Sequence, residues 1–161
     1  MVRYTILKEV IGMEARRILV VANQTAPGAH LKQILRQRMA EGPCKFLLLV
    51  PAMPPRGKWT STDEEEVGLA ERRMREALSG LQGLGAEIEG RVEEGSPMDA
   101  VAALIQIEDY EHNQAFDEII LSTLPPGMSR WLKQDLPHRL VRRYGIPVTH
   151  VIGAPAATIS N

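Results

Sequence analysis

Five short apolar runs, RRILVVAN (16–23), CKFLLLVP (44–51), AEIEGRVEE (86–94), DEIILST (117–123) and PVTHVI (147–152), alternate with stretches of helical periodicity. No other feature of the chain constrains its fold as tightly. The first, second and fourth runs are continuously apolar and bounded by charged or turn residues, as strands covered on both faces must be. The third alternates in polarity and is expected nearer a sheet edge. Between the runs, Leu31, Ile34, Leu35 and Met39 mark one helix, and Val67, Ala70, Met74, Leu78 and Leu81 mark a second behind STDEEE. There Ser61 or Thr62 can cap, the acids suit the positive helix end, and Gly83 and Gly85 stop the helix. GSPMDAVAALI repeats the logic, with Ser96 as cap, Pro97 at the first helical position and Val101, Leu104 and Ile105 as the apolar stripe. Leu132, Leu136, Leu140 and Tyr144 predict one last helix ending at Gly145. The order β-α-β-α-β-α-β-α-β calls for right-handed crossovers and hence an α/β fold, a single-domain, open, doubly wound parallel sheet.

At 161 residues the chain is the size of one domain. The pattern divides it into an N-terminal extension (1–15), an α/β domain (16–152) and a flexible tail (153–161). Two connections, AMPPRGKWTST (52–62) and EDYEHNQA (108–115), are longer than usual and are read as solvated loops that can border a cleft. Nineteen Lys and Arg against twenty Asp and Glu leave a net charge of −1, so no global field draws the protein to nucleic acid or an anionic membrane. The basic clusters RRMRE (72–76) and RRY (142–144) lack the interleaved aromatics that base stacking needs. The lone Cys44 cannot form an internal disulfide and is read as a packing residue in a reduced compartment. No run approaches the roughly eighteen apolar residues of a membrane span, and the first fifteen residues mix charge and apolar groups too often for a signal core. A cytoplasmic location is expected.

Local catalytic signatures, including Walker A, GxGxxG, HExxH, CxxC and GxSxG, are absent. His30, His112, His138 and His150 show no metal-ligand spacing, so no metal is expected; each is read as a surface or strand histidine. No nucleophile–base pair suggests itself. His138 can meet Asp135 across three residues of helix, a pairing that usually only decorates a solvated face.

Three local features together resemble the universal stress protein family over residues 16 to 152: the opening strand and its polar exit, ILVVANQT; the strand, turn and helix VEEGSPMDAVAALI; and the closing FDEIIL…LVRRYGIPVTHVI. The resemblance implies the universal stress protein, or adenine nucleotide alpha hydrolase-like, sheet with strand order 3-2-1-4-5. The ligand crevice then lies where strands 1 and 4 diverge, between Asn23-Gln24-Thr25 and Ser122-Thr123-Leu124. Members of the family that bind ATP carry Gly-x2-Gly-x9-Gly-[Ser/Thr] after the fourth strand. Ser122, Pro125, Asp135 and Leu136 align with it here, and none matches. Pro125 and Pro126 have no N–H to offer a phosphate, and Asn23 replaces the acid that nucleotide-binding members often carry.

The candidate site therefore comprises Asn23, Gln24, Thr25, Ser122, Thr123, Gly127, Ser129 and Arg130, with Lys133 beside it. Arg130 is the best single candidate for holding an anion. Trp59 and Trp131 can rim the cleft and stack on a planar ligand. The expected function is that of a non-catalytic stress-protein-like module that dimerises and binds a partner or small anionic effector, with no cofactor required. The alternative is an adenine-nucleotide-binding protein with a modified phosphate loop, weak binding and at most slow hydrolysis. PVTHVI would be an edge strand without guarding charges, and the resemblance implies a homodimer through it.

Overall fold

The computed structural model describes residues 15–26, 28–52, 62–112 and 116–153, with the backbone alone at 62, 63 and 108–112. Residues 1–14, the connection 53–61 with Trp59, the predicted cap Ser61 and the tail 154–161 lie outside the described residues, as do 113–115. The elements run β1 (Arg16–Val21), α1 (Ala29–Glu41), β2 (Cys44–Ala52), α2 (Thr62–Gln82), β3 (Glu87–Glu94), α3 (Pro97–His112), β4 (Glu118–Thr123), α4 (Arg130–Lys133), α5 (Leu136–Tyr144) and β5 (Val148–Ile152). All five strands are parallel and ordered β3-β2-β1-β4-β5, as the sequence led one to expect.

Period-two alternation distributes each strand between two apolar layers. Ile18, Val20, Phe46, Leu48 and Ile120 meet α1 and α2 through Leu31, Leu35, Ala70, Ala77 and Leu81. Leu19, Val21, Leu47, Leu49, Ile119 and Leu121 meet α3 and α5 through Val101, Leu104, Leu136 and Leu140 on the other face. The continuously apolar strands β1, β2 and β4 are interior, while β3 and β5 form the edges. Cys44 packs against the first layer, and burial pushes its thiol pKa up, in keeping with a packing role.

Local signals place most boundaries. Ser96 caps α3 through the Asp99 amide at 3.2 Å, and Pro97 is its first residue. Gly85 (φ 81°) and Gly145 (φ 64°) take left-handed conformations after α2 and α5. Two expectations need correction. The connection placed at 108–115 is helical as far as His112, because no Gly or Pro after Pro97 interrupts α3. The single helix expected from Leu132 to Tyr144 is two, α4 and α5, broken at Asp135 with φ 55°. Pro137 has no N–H for the carbonyl of Lys133, and its ring would strike that carbonyl in a continuous helix.

At the amino ends of the strands, Glu118 is buried at 3% exposure and ties four elements together. Arg38 of α1 grips both carboxylate oxygens, at 2.8 and 2.9 Å; Arg16 of β1 adds a contact at 3.3 Å and Thr149 of β5 donates its hydroxyl. Burial alone would raise the Glu118 pKa. Hydrogen bonds from Arg38 and Thr149, with the charges of Arg38 and Arg16, outweigh it and hold the carboxyl below its ordinary value.

Candidate functional site

Strands β1 and β4 are neighbours, yet β1 leads to α1 on one face and β4 to α4 and α5 on the other. Their carboxyl ends therefore diverge around a crevice, a cavity of about 300 Å³. Its floor comes from the strand exits, Asn23, Gln24 and Thr25 after β1 and Ser122, Thr123 and Leu124 at β4. One wall is α2, with Glu66, Leu69 and Arg73, and the other is the post-β4 segment, with Met128, Ser129, Arg130, Trp131 and Gln134. The volume lies at the lower end of the range usual for small-molecule sites.

The floor hydroxyls are bonded to one another. Thr25 and Ser122 share a hydrogen bond at 2.5 Å, and Ser122 lies 2.7 Å from His30 Nε2. Burial lowers the His30 pKa, and the imidazole tautomer sets which way the two hydrogen bonds of this chain run. Gly28 and Gly153 give this imidazole its room: a Cβ at Gly153 would strike the ring at Cε1. On the other side of β4, Thr123 Oγ1 donates to the Leu124 carbonyl at 2.9 Å, so it accepts from His150 Nε2 at 2.7 Å. Burial lowers the His150 pKa as well.

Few amides of the loop after β4 are left for a ligand. Pro125 and Pro126 have none, and the N–H groups of Met128 and Ser129 both bond the Pro125 carbonyl, at 3.0 and 3.1 Å. Pro126 followed by Gly127 at φ 90° is the signature of a type II turn closed by the first of these bonds. Ser129 Oγ accepts from the Leu132 amide at 3.2 Å and so caps α4.

Of the residues singled out from sequence, Asn23, Gln24, Thr25, Ser122, Thr123, Ser129 and Arg130 line the cavity, as does Trp131; Gly127 and Lys133 do not. Asn23 is committed at both ends of its amide. It donates to the Pro51 carbonyl at 2.7 Å and accepts from Arg73 Nη1 at 2.5 Å. Asp135 lies outside the lining, bonded to His138 at 2.7 Å with Arg142 at 3.6 Å.

Glu66, Arg73 and Gln134 were not anticipated at the cavity, and neither was the pairing of Ser122 with His30 behind it. A signal for the α2 wall existed: Glu66, Leu69 and Arg73 follow i, i+3, i+7 spacing, one helix face. For His30 no local signal exists, since its partner is ninety-two residues away in sequence. The Ser122–His30 geometry is that of a nucleophile and base, but no carboxylate backs the imidazole among the described residues. Ser122 itself is only 1% exposed. Among the described residues no cluster of His, Cys, Asp or Glu could hold a metal ion, and no helix is long and apolar enough to cross a membrane.

No protein-family model and no curated protein matches the sequence. Solved structures do. A universal stress protein in complex with cAMP shares 17% identity, with a TM-score of 0.53 over 86% of this chain and 98% of the other. A universal stress protein family member from Burkholderia pseudomallei shares 15% identity, with a TM-score of 0.61 over 90% and 99%. The universal stress protein from Archaeoglobus fulgidus shares 17%, with a TM-score of 0.55 over 89% and 98%. The fold expected from the sequence resemblance is therefore the fold observed, the five-stranded 3-2-1-4-5 sheet of the universal stress proteins.

Proposed function

We propose that this chain, built on the universal stress protein fold, is a divergent, non-catalytic module of that family, cytoplasmic, which binds a small effector in the β1/β4 crevice and associates with a second copy through β5. The observation that carries the reading is the state of the loop after β4. A phosphate cradle needs several backbone N–H groups aimed at the ligand. Between Pro125 and Ser129, two positions lack an amide and two more direct theirs at the Pro125 carbonyl. A triphosphate tail has little to hold it there. Catalysis is disfavoured on similar grounds. Ser122 shares its hydroxyl with both Thr25 and His30, and among the described residues the imidazole has no acid to stabilise the charge it would acquire as a base.

Association through β5 is supported by its position at the sheet edge, where one row of backbone groups has no neighbouring strand among the described residues. Ile152 beside it is half exposed, whereas Val151 packs into the first apolar layer. Ile152→Lys is therefore the substitution that charges the edge without opening the core. Light scattering is expected to give a mass near twice that of the chain for wild type and a lower mass for the variant. A monomer in both samples would refute the assembly.

The second reading, an adenine-nucleotide-binding protein with a modified loop and at most slow hydrolysis, draws support from the neighbour holding cAMP. A thermal-shift screen against ATP, AMP, NAD, FMN and cAMP separates the two readings, because ligand binding raises the melting temperature by mass action. The leading reading expects little or no shift with magnesium-ATP. Calorimetry giving a micromolar Kd for ATP would overturn it.

A further inference from the structure

With the floor hydroxyls bonded to one another, recognition falls to the charged side chains of the walls. Arg73 stands apart among the cavity's charged groups. It is partly buried on the α2 wall, its pKa is lowered by that burial although Glu66 and Glu76 pull it back up, and no carboxylate lies within ion-pair distance of it among the described residues. Its one bond among the described residues, from Nη1 to Asn23 Oδ1, is anchored through Asn23 Nδ2 to the Pro51 carbonyl on β2. The guanidinium is thus held in place by a neutral amide, with its remaining N–H donors unclaimed among the described residues. A half-buried cation with no carboxylate in direct contact among the described residues carries a desolvation cost that Glu66 and Glu76 offset only from a distance, and an anion entering the cavity would relieve the rest.

Among the described residues the lining carries two cations, Arg73 and Arg130, and one acid, Glu66, for a formal charge of +1. Arg130 is exposed and screened by solvent, which leaves Arg73 as the stronger of the two anchors. Leu69, Leu124 and Trp131 supply an apolar surface beside the charged groups. The geometry points to Arg73 as the residue that captures the oxyanion of a small, singly charged ligand, a phosphate diester or a carboxylate, whose uncharged part rests on the apolar lining. This rests on the crevice being a ligand site, as proposed above, and moves charge recognition from the loop after β4 to the opposite wall. A polyanion such as ATP would exceed the charge of the lining and meet Glu66.

Calorimetric titration of the full chain tests this. The probes are cAMP as the diester, benzoate as the carboxylate, adenosine as a neutral counterpart and ATP as the polyanion. For wild type, cAMP or benzoate is expected to bind more tightly than ATP, and which of them binds identifies the source of the oxyanion. Arg73→Gln can keep the bond to Asn23 while removing the charge, and should weaken the bound oxyanion about tenfold or more while leaving adenosine unchanged. Arg130→Gln should cost less, and Arg73→Lys should fall between wild type and Arg73→Gln, since an ammonium keeps the charge without the fork. Melting curves for each variant show that the fold is retained. Oxyanion binding that is unaffected by Arg73→Gln, or ATP binding most tightly, would overturn the assignment while leaving the crevice a ligand site. Absence of binding by all four probes would overturn the crevice reading, and this inference with it.

Discussion

Replacing Glu118 by Gln keeps the shape of the side chain and removes the charge that Arg38, Arg16 and Thr149 converge on. Each hydrogen bond to a charged group is worth about 1.5–3 kcal/mol net, yet a sum over these contacts would overshoot because burying the carboxylate costs part of it back. The relevant quantity is the cost of leaving one partner of a buried pair behind, about 3–5 kcal/mol. The arginines soften that cost. Arg16 has a side-chain exposure of 44%, and Arg38 already touches Glu41 at 3.3 Å, to which it can turn. The lower end, about 3 kcal/mol, is therefore expected, equivalent to a fall of roughly 6–12 °C in Tm for a chain of this length.

Urea unfolding monitored by circular dichroism measures it as a lower midpoint at unchanged slope. Glu118→Leu combined with Arg38→Met should cost less than the sum of the two single changes, because neither charge is then left unpaired. The depressed pKa fixes the sign with pH: the Glu118 contribution is present above its unfolded value near 4.5 and is lost as pH falls through the lower folded value. A loss below about 1 kcal/mol for Glu118→Gln near neutral pH would refute the claim that this cluster fastens β5 and α1 to the central strands.

Gly153→Ala puts a methyl group against the His30 ring and should push it off Ser122, costing about 1–2 kcal/mol in urea unfolding; adding His30→Ala should recover part of that loss. His30 and His150 both have pKa values lowered by burial, so stability should begin to decline as pH drops below their unfolded value near 6.5, and His30→Gln should flatten melting temperatures between pH 7 and 5. A wild-type melting temperature constant over that interval would contradict the buried, neutral histidines.

The parallel, doubly wound class and the edge position of the third strand were legible because double-sided burial writes itself into the sequence, whereas the strand order came from the family resemblance. Runs such as ILVV and FLLLV leave no polar face for solvent, while EIEGRVE leaves one. The break between α4 and α5 was harder to see. Leu132, Leu136, Leu140 and Tyr144 keep helical phase across it, and only Pro137 betrays the interruption. The strand-exit residues of the site were readable because the crossover rule places them. Arg73 was hidden inside RRMRE, where neighbouring arginines on the same helix face solvent and only helical phase separates them. The tertiary bonds of His30 and His150 to Ser122 and Thr123 depend on which strands become neighbours, and no local pattern encodes them.

Those same bonds separate stability from recognition in the crevice. Thr25, Ser122 and His30 join the exit of β1 to β4 and α1, and Thr123 and His150 join β4 to β5, so the floor closes the carboxyl end of the sheet with side-chain hydrogen bonds. A ligand that drew on these hydroxyls would have to replace bonds already made, which leaves little net gain. Under the proposed assignment, Arg73 and Arg130 on the walls would lose only solvent contacts to an arriving ligand. Substitutions in the floor should therefore move the unfolding midpoint more than ligand affinity, and substitutions in the walls the reverse. A cradle of backbone amides cannot be separated in this way, because each donor is also part of the loop's own structure. Charge recognition by side chains, as proposed for Arg73, would let ligand preference change at single positions while the sheet beneath stays as it is.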